Sequence, residues 1–148
     1  MLGKLLRGIG LSISVALMLF GSLLTIMGIF HEWVRMWGVF RWVTSTGWEM
    51  LTTTITGNLC VFLVLVGGIV EFFGVLALIS AFIGNWSLAV KKRISYFPLL
   101  GAFIVSVGYI WYNEKYGYPP LLYGTFMSMF GYLLVVIGLG IFRFIYYI

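Results

Sequence analysis

One acidic side chain stands deep inside an apolar run. Glu71 lies four residues after Gly67 and three before Gly74, so on a helix all three share a face. Ionisable groups within membrane-spanning segments are rare, and each is a functional candidate until shown otherwise. The chemistry open to this carboxyl is uptake of a proton or cation, or a hydrogen bond to a bound quinone or lipid headgroup. A second reading is a protonated structural glutamate bonded across the bundle, with Ser22, Ser106, Ser128 and Tyr132 as partners matched in depth. A third is a contact with an Arg or Lys of a partner subunit. A transport path usually shows several polar residues along one route, and here there is one.

The remaining reactive residue types are sparse. His31 is the sole histidine, which excludes a bis-His haem within one chain, and nothing positions a His/Met pair. Its amphipathic surroundings suit a plain interfacial histidine. Cys60 is the sole cysteine, so no intrachain disulfide can form, and it reads as a small packing residue. No CxxC, HExxH, P-loop or GxSxG occurs, so no catalytic constellation, metal site or cofactor is expected. Lys91-Lys92-Arg93 is a smaller cluster than the usual four to eight basic residues of a headgroup site, and reads as a topology determinant.

The elements that must position these residues follow from composition. The chain has 148 residues, 62% of them hydrophobic and 9% charged, with mean hydropathy +1.10. A soluble domain carries about a quarter charged residues. Four apolar runs, at about residues 9–30, 57–83, 96–112 and 121–142, match the ~17–25 residues that a spanning helix needs. Each must be helical, because an isolated strand in hydrocarbon leaves its backbone polar groups unpaired. The N-terminus, Lys4 and Arg7 before an apolar stretch, shows no small-x-small cleavage site and reads as a retained first span. Pro98 falls in the first turn of span three, where its missing N–H is harmless, and Pro119-Pro120 marks the start of span four. The expectation is a single all-α domain, multi-pass in the cell membrane.

Of nine Lys and Arg, six (Lys4, Arg7, Lys91, Lys92, Arg93 and Arg143) fall on one side of the four spans. The other side holds Arg35, Arg41 and Lys115, diluted by Glu32, Glu49 and Glu114. By the positive-inside rule both termini are cytoplasmic. The same placement explains the net charge of +5 without nucleic acid as a partner. The long outer connection, residues 31–56, begins HEWVRMWGVFRW. Trp33, Met36, Trp37 and Phe40 recur there at helical spacing, which predicts an interfacial amphipathic helix or an extension of span one. Trp33, Trp37 and Phe40 are its interfacial candidates, within an outer belt that includes Tyr112, Tyr116, Tyr118 and Tyr123.

The most informative pattern is small residues every seven. Span one has Gly21 and Gly28, with Ser14 a heptad earlier. Span two has Gly67 and Gly74, span three Gly101 and Gly108, and span four Gly124, Gly131 and Gly138. A seven-residue period keeps one stripe on one side of a left-handed supercoil, and in lipid small residues let helices approach closely. The expectation is a left-handed, up-down-up-down four-helix bundle, N-in and C-in. Part of the seam is available to a partner subunit or to self-association rather than to the bundle's own axis. Val135 reads as a lipid-facing position.

The stretch LVLVGGIVEFFGVLALISAF around Glu71 resembles the second span of DoxX-like four-helix membrane proteins, a resemblance that implies a link to quinone-dependent sulfur oxidation. With its long first outer connection, short second one and GYIWY at residues 108–112, the topology is similar to that of the claudin-type tetraspans, although the cysteine pair of the claudin first loop cannot form here. No site residue transfers from either family. The leading expectation is a small non-catalytic subunit of a larger membrane complex, partnered by membrane lipids and other membrane proteins. The rivals are a small transporter or proton-handling protein built on Glu71, and a quinone-interacting oxidoreductase subunit.

Overall fold

A computed structural model describes residues 2–37, 41–53, 58–117 and 122–147. The elements run α1 (Leu2–Gly28), β1 (Glu32–Trp37), β2 (Trp42–Thr46), α2 (Gly47–Thr53), α3 (Leu59–Ile83), α4 (Leu88–Ile94), α5 (Tyr96–Tyr116) and α6 (Tyr123–Tyr147). Four helices are long and apolar enough to cross a membrane: α1, α3, α5 joined through Ser95 to the short α4, and α6. Span three therefore runs past residue 112 to Tyr116, where Gly117 closes the helix in the left-handed conformation at φ 64°, as glycine does at helix C-termini. Tyr118 and Pro119-Pro120 lie outside the described residues.

The helices join in two close pairs. Gly21 meets Gly131 and Gly28 meets Gly124, so α1 and α6 run antiparallel. A Cβ at Gly21 would stand 2.5 Å from the Gly131 carbonyl oxygen, and one at Gly28 2.7 Å from that of Gly124. Gly138 reaches the Ser14 carbonyl oxygen in the same register. The second pair is α3 with α5: Gly67 meets Gly101, Gly108 meets the Cys60 carbonyl oxygen, and Gly74 meets Pro98. Backbone against backbone at these distances leaves no room for any side chain, and such proximity maximises dispersion contact where lipid removes the hydrophobic drive. A pair of reciprocal bonds reinforces the first seam. The Thr25 hydroxyl donates to the Ser128 carbonyl oxygen (3.4 Å), and the Ser128 hydroxyl donates to that of Thr25 (2.9 Å).

The two pairs meet through α1 and α3, where Gly68 faces Thr25 and Ile26. Two apolar clusters fill the interior. One, toward the hairpin, contains Ile29, Trp33, Val61, Val64 and Val105. The other, toward the basic end, contains Met18, Val75, Leu78, Val135 and Phe142. Val135 is fully buried, so the lipid-facing assignment was wrong. It stands on the α6 face that approaches α1, its backbone nitrogen 2.9 Å from a Cβ built at Gly21.

Among the described residues, the outer connection begins as a strand pair and not as the expected helix. β1 and β2 form a two-stranded antiparallel hairpin, which amends the all-α expectation at this one place. Glu32 pairs with Thr46 and Val34 with Ser45, so Trp33 is the extra residue of a bulge. A bulge re-aims a side chain, and here it drives Trp33 into the bundle, fully buried. The Trp33 indole donates to the Gly28 carbonyl oxygen (2.8 Å), and its own carbonyl oxygen accepts from Tyr112 (2.7 Å) and Thr125 (3.4 Å). Trp33 is thus a plug within the protein rather than a headgroup anchor, and Tyr112, also buried, leaves the expected outer belt with it. Trp37 ends β1; Phe40 lies outside the described residues. The short helix α2 is set by a capping box: the Glu49 N–H donates to the Thr46 hydroxyl (3.0 Å), and the Thr46 N–H donates to the Glu49 carboxylate (2.8 Å). Asn58 ties this cap to the bundle, donating to the Met50 carbonyl oxygen (2.6 Å) and accepting from Tyr116 (2.5 Å) and Lys115 (3.4 Å).

Candidate functional site

Glu71 is the middle residue of α3 and is fully buried inside the chain. Its position is set by the seam: a Cβ at Gly101 would stand 2.6 Å from Glu71 Cγ and 2.7 Å from its backbone nitrogen. Only a glycine at 101 lets the glutamate stem pass. Neither carboxyl oxygen has a hydrogen-bond partner among the described residues. A buried polar group without a partner costs about 1–3 kcal/mol, and in a native structure it calls for an explanation such as a ligand, a proton function or an ordered water.

The four hydroxyls expected to serve Glu71 are engaged elsewhere. Ser22 donates to the Leu19 carbonyl oxygen of its own helix (3.0 Å). Ser128 donates across the seam to Thr25 (2.9 Å). Ser106 and Tyr132 bond each other (2.6 Å), a hydroxyl pair that links α5 to α6. The carboxyl that the intersubunit reading would pair with a partner's Arg or Lys is enclosed by this chain's own residues.

Tyr109 is the residue the sequence reading passed over. It is buried, within electrostatic reach of Glu71, and its hydroxyl faces Ser128 without a bond of hydrogen-bond geometry. Its ring stacks on Trp33 (centroids 6.2 Å apart) and meets Tyr132 edge-on (6.0 Å). An aromatic column therefore runs from the hairpin plug to the Ser106–Tyr132 pair. The signal was available: Tyr109 follows Gly108 and stands four residues from Val105, on the buried face of α5. His31 is removed from this centre, its ring edge-on to Tyr123 at 5.0 Å.

A second feature lies between α5 and α6 at the basic end. A lateral groove of about 970 Å³ is walled by Leu100, Phe103 and Leu139, with Ser106 and Tyr132 at one end and Arg93 and Arg143 at the other. Compared with known proteins, the chain matches no family model, no curated protein and no solved structure. Four membrane-length apolar helices define its class, a multi-pass helical membrane protein.

Proposed function

We propose that this protein is a small non-catalytic component of a larger assembly in the cell membrane, with the anchored hairpin as its recognition element. The observation that carries this reading is the hairpin itself. A two-stranded ribbon is marginal on its own, yet this one is fixed to the bundle through Trp33, Tyr112 and Thr125. It presents exposed Arg35, Arg41 and Val43 on a two-stranded ribbon, and strand addition to a sheet edge is a recurrent mode of peptide recognition. The nine seam glycines all stand against other segments of the same chain, so partner binding falls to the cap rather than to the seams. In this reading both termini are cytoplasmic, the cap faces outward, and the two seams wind with the left hand that a seven-residue period favours.

The test is site-specific photocrosslinking in native membranes, with the crosslinker at Arg35 or Val43 on the hairpin and at Phe103 on the apolar face of α5. Discrete protein adducts at the hairpin positions, absent at Phe103, are the expected result. Hairpin positions that label no more protein than Phe103 would count against it. A second reading, proton or cation handling, is favoured by one observation: the Glu71 carboxyl is fully buried with no hydrogen-bond partner among the described residues. Proton uptake by the protein in liposomes, lost in Glu71→Gln, would establish it.

A further inference from the structure

Consecutive helices of an up-down bundle normally share a long contact, but α5 and α6 do not close on each other at the basic end. The glycine seams commit α5 to α3 and α6 to α1. Between α5 and α6 the Ser106–Tyr132 bond and the Tyr109–Tyr132 ring contact hold the middle. Below them the helices leave the lateral groove of about 970 Å³, at the upper end of the roughly 300–1,000 Å³ typical of small-ligand sites. Gly140 lines it, and a Cβ built there meets nothing within 4 Å. This glycine faces open space, unlike the seam glycines of the same helix.

The groove is polar only at its two ends. Ten residues separate Tyr96 from Ser106, about 15 Å along a helix, which is the depth of one leaflet of a ~30 Å hydrocarbon core. The wall between them is apolar and opens on the outer face of the bundle, where Leu100 and Phe103 are exposed. At the headgroup end stands Arg143, its guanidinium 4.7 Å from the centre of the Tyr96 ring. Its Nε and Nη2 are buried and have no hydrogen-bond partner among the described residues. An unpaired guanidinium fork is the side-chain geometry that grips phosphate oxygens in two places. Arg93 lies at the same mouth, and the chain places its four acids, Glu32, Glu49, Glu71 and Glu114, away from that end.

We infer that this groove is a binding site for one anionic phospholipid of the adjoining leaflet. Arg143 and Arg93 hold its phosphate, and an acyl chain lies along α5 toward Ser106 and Tyr132. The polarity matches at both levels: fixed positive charge where the phosphate resides, and hydrocarbon wall where the tail resides. A zwitterionic headgroup offers the same phosphate but brings a quaternary ammonium against Arg143 and Arg93, and that like-charge repulsion makes binding selective for lipid of net negative charge.

Native mass spectrometry of the full-length protein in mild detergent tests this, with phosphatidylglycerol, phosphatidylcholine of the same chains, and inorganic phosphate as probes. The expected result is a single phosphatidylglycerol adduct favoured at least about tenfold over phosphatidylcholine, a difference of about 1.4 kcal/mol. Arg143→Gln should erase that preference, and Lys4→Gln, remote from the groove, should keep it. Gly140→Phe fills the groove from a position with open space, and should remove the adduct from a protein that remains folded. Equal retention of both lipids by the unaltered chain, or an adduct that survives Gly140→Phe, would overturn the proposal. Displacement of the lipid by millimolar inorganic phosphate would also overturn it, by showing a phosphate site in which the tail has no part.

Discussion

At the scale of single residues the centre of interest is a glutamate whose stem is housed better than its charge. The Glu71 Cγ fits against Gly101 with no space to spare, while the two carboxyl oxygens have no partner among the described residues. Methionine follows the same path through its first side-chain atoms and brings no polar group, so overpacking is small. Replacing an unsatisfied buried group by an apolar one of similar shape removes its desolvation penalty. Glu71→Met should therefore raise resistance to unfolding in detergent by about 1–3 kcal/mol, with the bundle intact. A loss of stability instead would show that the carboxyl has a partner that holds the fold together. The residue's own location was legible, because an acid amid twenty apolar neighbours stands out in any window. Its isolation was not, because Ser22, Ser106 and Ser128 look available in the sequence. In the structure each hydroxyl turns to a carbonyl or to Tyr132, a local choice that depth matching alone does not reveal.

At the scale of elements, what the bilayer dictates is readable and what the cap dictates is not. Spanning helices announce themselves because the hydrocarbon requires about twenty apolar residues and forbids open backbone. The heptad glycines are equally visible, but a period does not say which seam meets which. The pairing of α1 with α6 and of α3 with α5 emerges only from their antiparallel register. The hairpin was misread because Trp33, Met36, Trp37 and Phe40 copy a helical period, and because the bulge puts Trp33 and its neighbour Val34 both inside, breaking the alternation that marks a strand. The run Trp42–Thr46, rich in residues that favour strands, and the Thr46/Glu49 capping box were the signals to the contrary. The seams give a sharp test within α6. A Cβ at Gly131 would stand 2.5 Å from the Gly21 carbonyl oxygen and 2.6 Å from the Thr25 nitrogen, whereas one at Gly140 meets nothing. Gly131→Ala should cost about 1–3 kcal/mol by forcing backbones apart. Gly140→Ala should be neutral or stabilising by up to about 1 kcal/mol through helix propensity. Detergent unfolding of the two variants side by side is the measurement, and equal tolerance would mean that the heptad glycines are incidental.

At the scale of the whole molecule the two ends differ in kind, and that difference bears on orientation. One end carries Lys4, Arg7, Lys91, Lys92, Arg93 and Arg143 with no acid in the adjoining segments. The other carries a folded cap in which charges of both signs are mixed and partly engaged, as in the Thr44 bond to Glu32 (3.2 Å) and the Lys115 bond to Asn58 (3.4 Å). Basic residues close to span ends resist translocation, and acids weigh little in the balance, which is the ground for the proposed orientation with the first end on the cytoplasmic side. A folded cap held by Trp33 is also the kind of structure that survives outside the cell without a disulfide, which Cys60 alone cannot form. Two exposed positions report on the two ends: Ala89 near the basic cluster and Glu114 near the cap. In a Cys60→Ala background, Glu114→Cys should react with a membrane-impermeant maleimide in intact cells, and Ala89→Cys should react only after the cells are opened. The reverse pattern would invert the molecule. It would then place the lipid groove in the outer leaflet and turn the hairpin toward cytoplasmic partners.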